Sequence, residues 1–530
     1  MGGGVSGPGA RAAMGSAGGF AAASAAAAAF AFGLGANDVA NSFGTSVGSG
    51  AVTLRQAVLI AVVCEVAGAV GLGRGVSNTL TEKISHLQRD DCWDCDGPDG
   101  GRVGVFALGM ACALAAGGLF LLLATLKGLP VSTTHTIVGG VLGITVLGTS
   151  GGCVLWGWPG LLKIVASWFV SPAASGLASC LVLWGIQRCI LGSRQPFQSA
   201  LFALPLLFGG TLSVLAMLVL ESESPWAFWI DTLAALGAGV LAAVLARVIA
   251  VPLFRARVEL QARGEDGEAI ELGAVEKEGT AEGGRGDAEV DSETGDASGA
   301  DEEPAEGQLG MRGVGANDSE TDSEAALLLD EGTGGGEEGG NGSRAAGAET
   351  EKAEKLFKYL QIFTACLKSF AHGANDTANA AGPYAVVEEF YFRYGTEGEE
   401  MCSISTPLWV LAFTGLGIAL GLAVLGNRVI ETVGKKIADI NFTRGFAIEL
   451  GSTLAVLFAS FFGAPISSTH CQIGSVLMVG VMESGVKSVD WGSLSKIVIA
   501  WFVTVPFAAL VAAAFLAAIN AILEAAHVGS

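Results

Sequence analysis

Charge is what this chain has least of. Charged side chains make up 15% of its 530 residues and apolar ones 51%, whereas an average soluble protein carries about 25% charged residues. That balance excludes an ordinary soluble globular fold and fits a chain living in a lipid bilayer. An excess of basic residues is also missing, since the formal net charge is -22, so nothing points to nucleic acid. The acidity is local: 27 Asp and Glu face 5 Lys and Arg between Glu259 and Glu351, leaving 24 of each sign elsewhere. The ten cysteines are spread thinly, and Cys64, Cys112, Cys180 and Cys366 lie in apolar runs where a thiol acts as a small hydrophobe. Cys92 and Cys95 stand apart in a polar Cys-Trp-Asp-Cys loop. With no second CxxC and only His86 nearby, a local or intermolecular disulfide outranks zinc, and two free thiols stay open. The Gly/Ala-rich start has Arg11 but no hydrophobic core ending in a cleavage site, nor the character of a transit peptide. The first span is therefore expected to insert the protein, and the cell membrane is the expected location.

A spanning helix needs about 20 mainly apolar residues. Such runs occupy 17 to 34, 57 to 73, 104 to 126, 152 to 192, 200 to 220 and 226 to 250, then 356 to 386, 406 to 426, 444 to 482 and 492 to 525. They predict an all-α polytopic membrane protein of roughly ten to twelve spans. The expected organisation is a tail over 1–16, a first half with extra helices over 17–253, an acidic loop over 254–355 and a second half over 356–530. The loop is rich in Gly, Glu, Asp, Ser and Ala and cannot bury enough apolar surface to offset its ordering entropy. Arg247, Arg255, Arg257 and Arg263 before it and Lys352, Lys355 and Lys358 after it predict that it is disordered and cytoplasmic. The Cys92 loop then faces outward. Sequons at Asn317 and Asn341 fall in the acidic loop and would go unused, while Asn441-Phe-Thr lies in a short loop of open side.

The chain repeats itself. Gly35-Ala-Asn-Asp-Val-Ala-Asn41 returns as Gly373-Ala-Asn-Asp-Thr-Ala-Asn379, and Pro130-Val-Ser-Thr-Thr-His135 as Pro465-Ile-Ser-Ser-Thr-His470. Lys163-Ile-Val-Ala-Ser-Trp-Phe-Val170 is answered by Lys496-Ile-Val-Ile-Ala-Trp-Phe-Val503, and the three offsets are 338, 335 and 333 residues. So small a drift means one duplicated unit. Interrupted hydrophobic segments at matching places in two halves are the best sequence pointer to a transporter's binding site.

Asn37, Asp38 and Asn41, and again Asn375, Asp376 and Asn379, break otherwise apolar spans beside glycines that weaken a helix. An ionisable group in a membrane segment is by default functional, and carbonyls freed by an unwound helix would add hard oxygen ligands for a small cation. The bland alternative, polar residues gluing helices together, explains a duplicated Asn-Asp-x-x-Asn poorly. Pro130 and Pro465 precede Ser132, Thr133 and Thr134, and Ser467, Ser468 and Thr469. Proline suits a first helical turn, whose free N–H groups with added hydroxyls can hold an oxyanion. The apolar run that follows is only about 15 residues, the length of a re-entrant segment. A proline-kinked helix with hydroxyls bonded to its own backbone is the competing reading.

Neither motif contains Arg, so an oxyanion beside Asp38 and Asp376 would be repelled unless cations joined it. A small cation on the Asp and Asn oxygens removes the conflict and couples the two ligands. His135 and His470 could shuttle protons, though structural hydrogen bonding is the simpler role. Glu65 is the better ion-ligand candidate; Glu449, with Arg444 five residues before it, is open to ligation or pairing. Trp168 and Trp501 read as packing or interfacial residues.

Gly33-Leu-Gly-Ala-Asn-Asp-Val-Ala-Asn-Ser-Phe-Gly-Thr45, Ala371-His-Gly-Ala-Asn-Asp-Thr-Ala-Asn-Ala-Ala-Gly-Pro383, Gly128-Leu-Pro-Val-Ser-Thr-Thr-His135 and Lys163-Ile-Val-Ala-Ser-Trp-Phe-Val-Ser-Pro172 together resemble the inorganic phosphate transporter (PiT) family over both membrane halves. Pro172 finds Val505 at its counterpart, with Pro506 one residue later, which leaves that helix's register open. The resemblance implies inverted repeats with broken helices and re-entrant hairpins, a phosphate site between the halves, and sodium as the usual coupling ion, with protons in some relatives. It assigns phosphate to Asp38, Asp376, Asn37, Asn375 and the hydroxyls of Ser132, Thr133, Thr134, Ser467, Ser468 and Thr469. Sodium falls to Asp38, Asn41, Asp376, Asn379, Glu65, Ser132 and Ser467. No cofactor is implied, and a homodimer is an open possibility. Against this stand a permease for another tetrahedral anion such as sulfate, an intramembrane enzyme using His135 or His470 with a neighbouring Thr or Asp, and a receptor signalling through the acidic loop. Duplication of the half-site argues against the enzyme.

Overall fold

A computed structural model of the chain describes residues 7–82, 84–85, 92–93, 102–149, 151–158, 160–223, 226–262, 338–393, 404–432, 440–461 and 466–528. Among these residues the structure is helical, apart from turns and one isolated antiparallel bridge between Ser85 and Val154. In chain order the helices are α1 (Gly7–Met14), α2 (Ala17–Gly48), α3 (Leu54–Glu82), α4 (Val103–Leu126), α5 (Thr133–Thr149), α6 (Leu161–Ile186), α7 (Pro196–Glu223) and α8 (Phe228–Leu245). They are followed by α9 (Glu338–Arg393), α10 (Leu408–Leu425), α11 (Asn427–Glu431), α12 (Phe442–Phe461), α13 (Ser468–Ser484) and α14 (Trp491–Val528). Contacts divide the chain into one unit of residues 1–259 with 349–530 and a second of residues 260–348. In the second, only 260–262 and 338–348 are described, and both stretches are helical.

Nine of the described helices are long and apolar enough to cross a bilayer. The protein is thus a multi-pass membrane protein. Helix α9 carries the second Asn-Asp motif and is interrupted by Lys368, His372 and Asp376. Helices α5 and α13, of 17 residues each, are about 25 Å long at 1.5 Å per residue, short of a hydrocarbon core of about 30 Å. They are the half-helices that the hydroxyl motifs predict. Two details differ from the sequence reading. Helix enters both ends of the expected loop, since one apolar helix runs Phe228–Ala262 and α9 starts at Glu338, because Ala, Glu, Gln and Arg form helix readily. Residues 263–337, with Asn317, lie outside the described residues. The Asn-Asp motifs also sit inside unbroken helices, so no backbone carbonyl is freed there.

The motif glycines serve close approach. Helices in lipid gain little from the hydrophobic effect and pack through small residues. A Cβ on Gly35 would lie 1.8 Å from the Ile418 carbonyl oxygen, and one on Gly421 1.8 Å from that of Phe32. Matching contacts recur at Gly373 with Glu65 (2.2 Å) and at Gly68 with Phe370 (2.0 Å). Helix α2 therefore locks onto α10, and α9 onto α3, so each half's first helix pairs with the other half's second. The half-helices follow the same rule: Gly139 of α5 abuts Val505 of α14, as Gly474 of α13 abuts Pro172 of α6. Val505 thus stands where Pro172 does, which fixes the register with Pro506 one residue beyond.

Cys92 is disulfide-bonded to Cys153, 61 residues away. The local Cys92–Cys95 pairing is thereby overturned, because Cys92 already has its partner; Cys95 lies outside the described residues. The bridge ties the segment before α4 to the turn after α5. Beside it, buried Trp93 donates from Nε1 to Ser85 Oγ at 2.7 Å. Asn441 Oδ1 accepts from the Arg444 backbone N–H at 2.9 Å, a cap on the start of α12.

Candidate binding site

The two half-helices begin alike. Ser132 Oγ accepts from His135 N, and Ser467 Oγ from His470 N, each at 3.2 Å, satisfying one of the N–H groups that a helix start leaves free. The next hydroxyl turns to the motif carboxylate of its own half: Thr133 donates to Asp38 Oδ2 at 2.8 Å and Ser468 to Asp376 Oδ2 at 2.5 Å. The third crosses over. Thr134 donates to the Ile466 carbonyl at 3.4 Å and Thr469 to that of Val131 at 3.2 Å, so the two N-termini face one another.

Helices α2 and α9 supply the carboxamides and carboxylates, all of them buried. Asp38 Oδ1 accepts from Asn41 Nδ2 at 3.0 Å and from Thr469 Oγ1 at 3.1 Å. Asn41 Nδ2 also reaches Thr469 Oγ1 at 2.9 Å, while Asn41 Oδ1 is buried with no hydrogen-bond partner. On the other side Asn379 Nδ2 lies 3.3 Å from both Thr133 Oγ1 and Thr134 Oγ1, and Asn375 Nδ2 donates to Asp376 Oδ1 at 3.0 Å. Residues from both halves thus interleave in one cluster. Asn37 plays a different part: its Nδ2 donates to Thr125 Oγ1 (3.1 Å) and the Leu129 carbonyl (3.0 Å), and its Oδ1 accepts from Val131 N (2.9 Å). It holds the loop that leads into α5.

Two site groups, His372 and Lys368, were not foreseen. His372, inside the second motif, puts Nδ1 2.8 Å from Glu65 Oε2 and Nε2 2.8 Å from Asp376 Oδ2 and 3.8 Å from Asp38 Oδ2. It stands four residues before Asp376, a spacing that places both on one helix face, which was the available signal. Asp38, His372 and Asp376 bring ligand atoms within 4.8 Å of one another. Glu65, which also accepts from Ser369 at 2.9 Å, adjoins this centre through His372. Glu449 forms a separate node, accepting from Thr45 and Ser46 at 2.6 Å each, Thr364 at 2.9 Å and Gln361 at 3.4 Å. Arg444 pairs with Glu483 at 3.0 Å, not with Glu449. Lys368, buried and one turn before His372, donates to Ser452 Oγ at 2.5 Å and to Gln472 Oε1.

His135 and His470 meet edge to face with centroids 4.5 Å apart, and each packs tilted against a tryptophan: His135 against Trp168 at 3.9 Å, His470 against Trp501 at 3.8 Å. His470 Nδ1 lies 3.2 Å from the Trp168 carbonyl. The pair fills the space where α5, α6, α13 and α14 meet.

A multi-pass chain whose two halves interlock around one buried, polar, pseudo-symmetric cluster has the build of a membrane transporter. The comparisons with known proteins give its lineage. The model of the Phosphate transporter family matches residues 34–512, and the chain belongs to that family. It is 29% identical to "Sodium-dependent phosphate transporter 1-A" of Danio rerio over 91% of each chain, and 31% identical to "Sodium-dependent phosphate transporter 2" of Bos taurus over 90% of this chain and 94% of the other. "Inorganic phosphate transporter 2-1, chloroplastic" of Arabidopsis thaliana is 33% identical over 91% of this chain and 69% of its own length. A solved structure described as "The sodium-dependent phosphate transporter" matches with a TM-score of 0.70 at 28% identity, over 95% of this chain and 99% of that one.

Proposed function

We propose that the protein carries inorganic phosphate together with sodium, by alternating access between its two halves. The observation that carries this is the crossed cluster in which the half-helix hydroxyls Thr133, Ser468 and Thr469 bond the carboxylates Asp38 and Asp376. Phosphate would take over these hydroxyls, with Thr134, as donors at two opposed helix N-termini. Its own O–H groups would donate to Asp38 or Asp376, a bond that fully ionised sulfate cannot make. Sodium would sit on Asp38, Asp376 and the carboxamides of Asn41 and Asn379. The unpartnered, buried Asn41 Oδ1 is an acceptor that a cation satisfies. Ser132 and Ser467 shape the helix starts, Asn37 fixes the α5 entry, and Asn375 holds Asp376. Without cations the site pairs an anion with carboxylates in a low dielectric, so sodium and phosphate each require the other.

Proton coupling is the second reading, and His372 set between Glu65 and Asp376 favours it. His135 and His470, packed against Trp168 and Trp501, have a packing role instead. For orientation, the basic residues around 247–257 and 352–358 favour a cytoplasmic acidic loop. The Cys92–Cys153 bridge belongs on the oxidising, outer side of the cell membrane, three helices (α6, α7 and α8) away from that loop.

Radiolabelled phosphate uptake into proteoliposomes of the purified chain tests the proposal under an imposed sodium gradient and a pH gradient. Sodium-driven uptake that is lost in an Asp38→Asn, Asp376→Asn double variant supports it. Uptake driven by protons alone moves coupling to His372, and no uptake under either gradient overturns the substrate.

A further inference from the structure

Lys368 is the one buried ammonium group among the described residues, and the proposed transport cycle leaves it without a task. Its surroundings are those of a bound cation. Nζ is held by Ser452 Oγ at 2.5 Å and by Gln472 Oε1, and Ser452 Oγ itself donates to Gln472 Oε1 at 3.2 Å. Ser452 lies one turn beyond Glu449 on α12, and Thr364, one turn before Lys368 on α9, donates to Glu449 Oε2 at 2.9 Å. The Glu449 carboxylate is supplied with hydroxyls and an amide from α2 and α9 but with no cation in contact. Gln472 is buried with its Nε2 unpartnered, as expected when a carboxamide is turned to offer its oxygen to a positive charge.

The position ties this pocket to the proposed phosphate and sodium site. Along α13, Gln472 follows Ser468 by four residues and Thr469 by three, and those two bond Asp376 and Asp38. Along α9, Lys368 precedes His372 by four residues and Asp376 by eight. Both helices therefore run directly from the Lys368 pocket to the carboxylate cluster, one turn along α13 and about two turns along α9.

Resting on the sodium-coupled reading above, we infer that Lys368 is a resident cation that fills, with its own ammonium group, an oxygen pocket beside Glu449 which would otherwise take a sodium ion. The protein then needs one coupling ion fewer than the same site without the lysine. Hard oxygens from a hydroxyl and an amide carbonyl suit sodium once the ammonium is gone, and Glu449, buried one turn before Ser452, supplies the negative charge that draws it.

The test is equilibrium binding of radiolabelled sodium to the full-length chain in nanodiscs at saturating phosphate, comparing wild type with Lys368→Ala and Lys368→Arg. Melting of each is followed in sodium and in N-methyl-glucamine chloride. Lys368→Ala is expected to bind about one more sodium per chain and to gain more in melting temperature from sodium than wild type does. Lys368→Arg, which keeps the charge, keeps the wild-type count. A Lys368→Ala variant that binds no extra sodium, or melts equally low in both salts, overturns the inference, as does an extra sodium in Lys368→Arg. Sodium bound by wild type with an unchanged count in Lys368→Ala removes only the role of Lys368; no sodium bound by either removes the sodium reading itself.

Discussion

Helices α2 and α9 carry the same motif, make equivalent glycine contacts with α10 and α3, and present equivalent aspartates to equivalent half-helices. They differ in one stripe. At the 338-residue offset, Phe30 and Leu34 of α2 stand where α9 has Lys368 and His372. The partner helices differ in step, with Ile418 of α10 at the place of Glu65 in α3. The backbone frame is thus a near repeat, while the buried charge around the common centre comes almost wholly from one side. Symmetry in the frame suits two access states of similar energy, and the one-sided charge gives the ions a fixed, asymmetric address.

The largest effects should fall on what the halves share. Asp38→Asn and Asp376→Asn should each cut phosphate uptake by at least 30-fold, on the scale of about 2–5 kcal/mol for one partner of a buried charged pair. Uptake that survived either change would show that only one half binds. Gly35→Leu and Gly373→Leu should both prevent folding, because a side chain at either place meets backbone; overpacking costs about 1–3 kcal/mol even where neighbours can shift. Size-exclusion profiles of tagged protein read this, and a well-folded variant of either would break the equivalence. The difference between halves is sharpened by exchange. His372→Leu, which imports the residue of the first half, should lower uptake about tenfold or more through lost bonds to Glu65 and Asp376, and Leu34→His should restore nothing. Cys92→Ser should lower the melting temperature by the equivalent of about 2–4 kcal/mol, without changing the ion dependence of uptake. Replacing 263–337, which has no counterpart in the repeat, with a short Gly/Ser linker should leave the initial uptake rate unchanged.

Features written as contiguous motifs were legible in the sequence. The duplicated Asn-Asp segments and the proline-led hydroxyl runs announced two aspartates, two half-helices and one shared centre. The glycines were misjudged, because a glycine that weakens a helix and one that admits a neighbouring backbone look alike until the neighbour is known. The exchange of partners between halves, α2 with α10 and α3 with α9, is a long-range fact with no local signal. Lys368 and His372 were passed over because neither is duplicated. Arg444 and Glu449, five residues apart, lie on different faces of α12, which leaves Arg444 free to meet Glu483 from α13. Cys153 sits in an apolar setting beside Trp156 and gave no sign that it was the partner of Cys92.

Reciprocal dependence of the two ligands is the central claim, and equilibrium binding of phosphate to the purified chain, titrated in sodium and again in N-methyl-glucamine, tests it most directly. Phosphate should bind at least tenfold more tightly in sodium, and phosphate should raise sodium affinity by the same factor, as linkage requires. Equal phosphate affinity in the two salts would contradict the account.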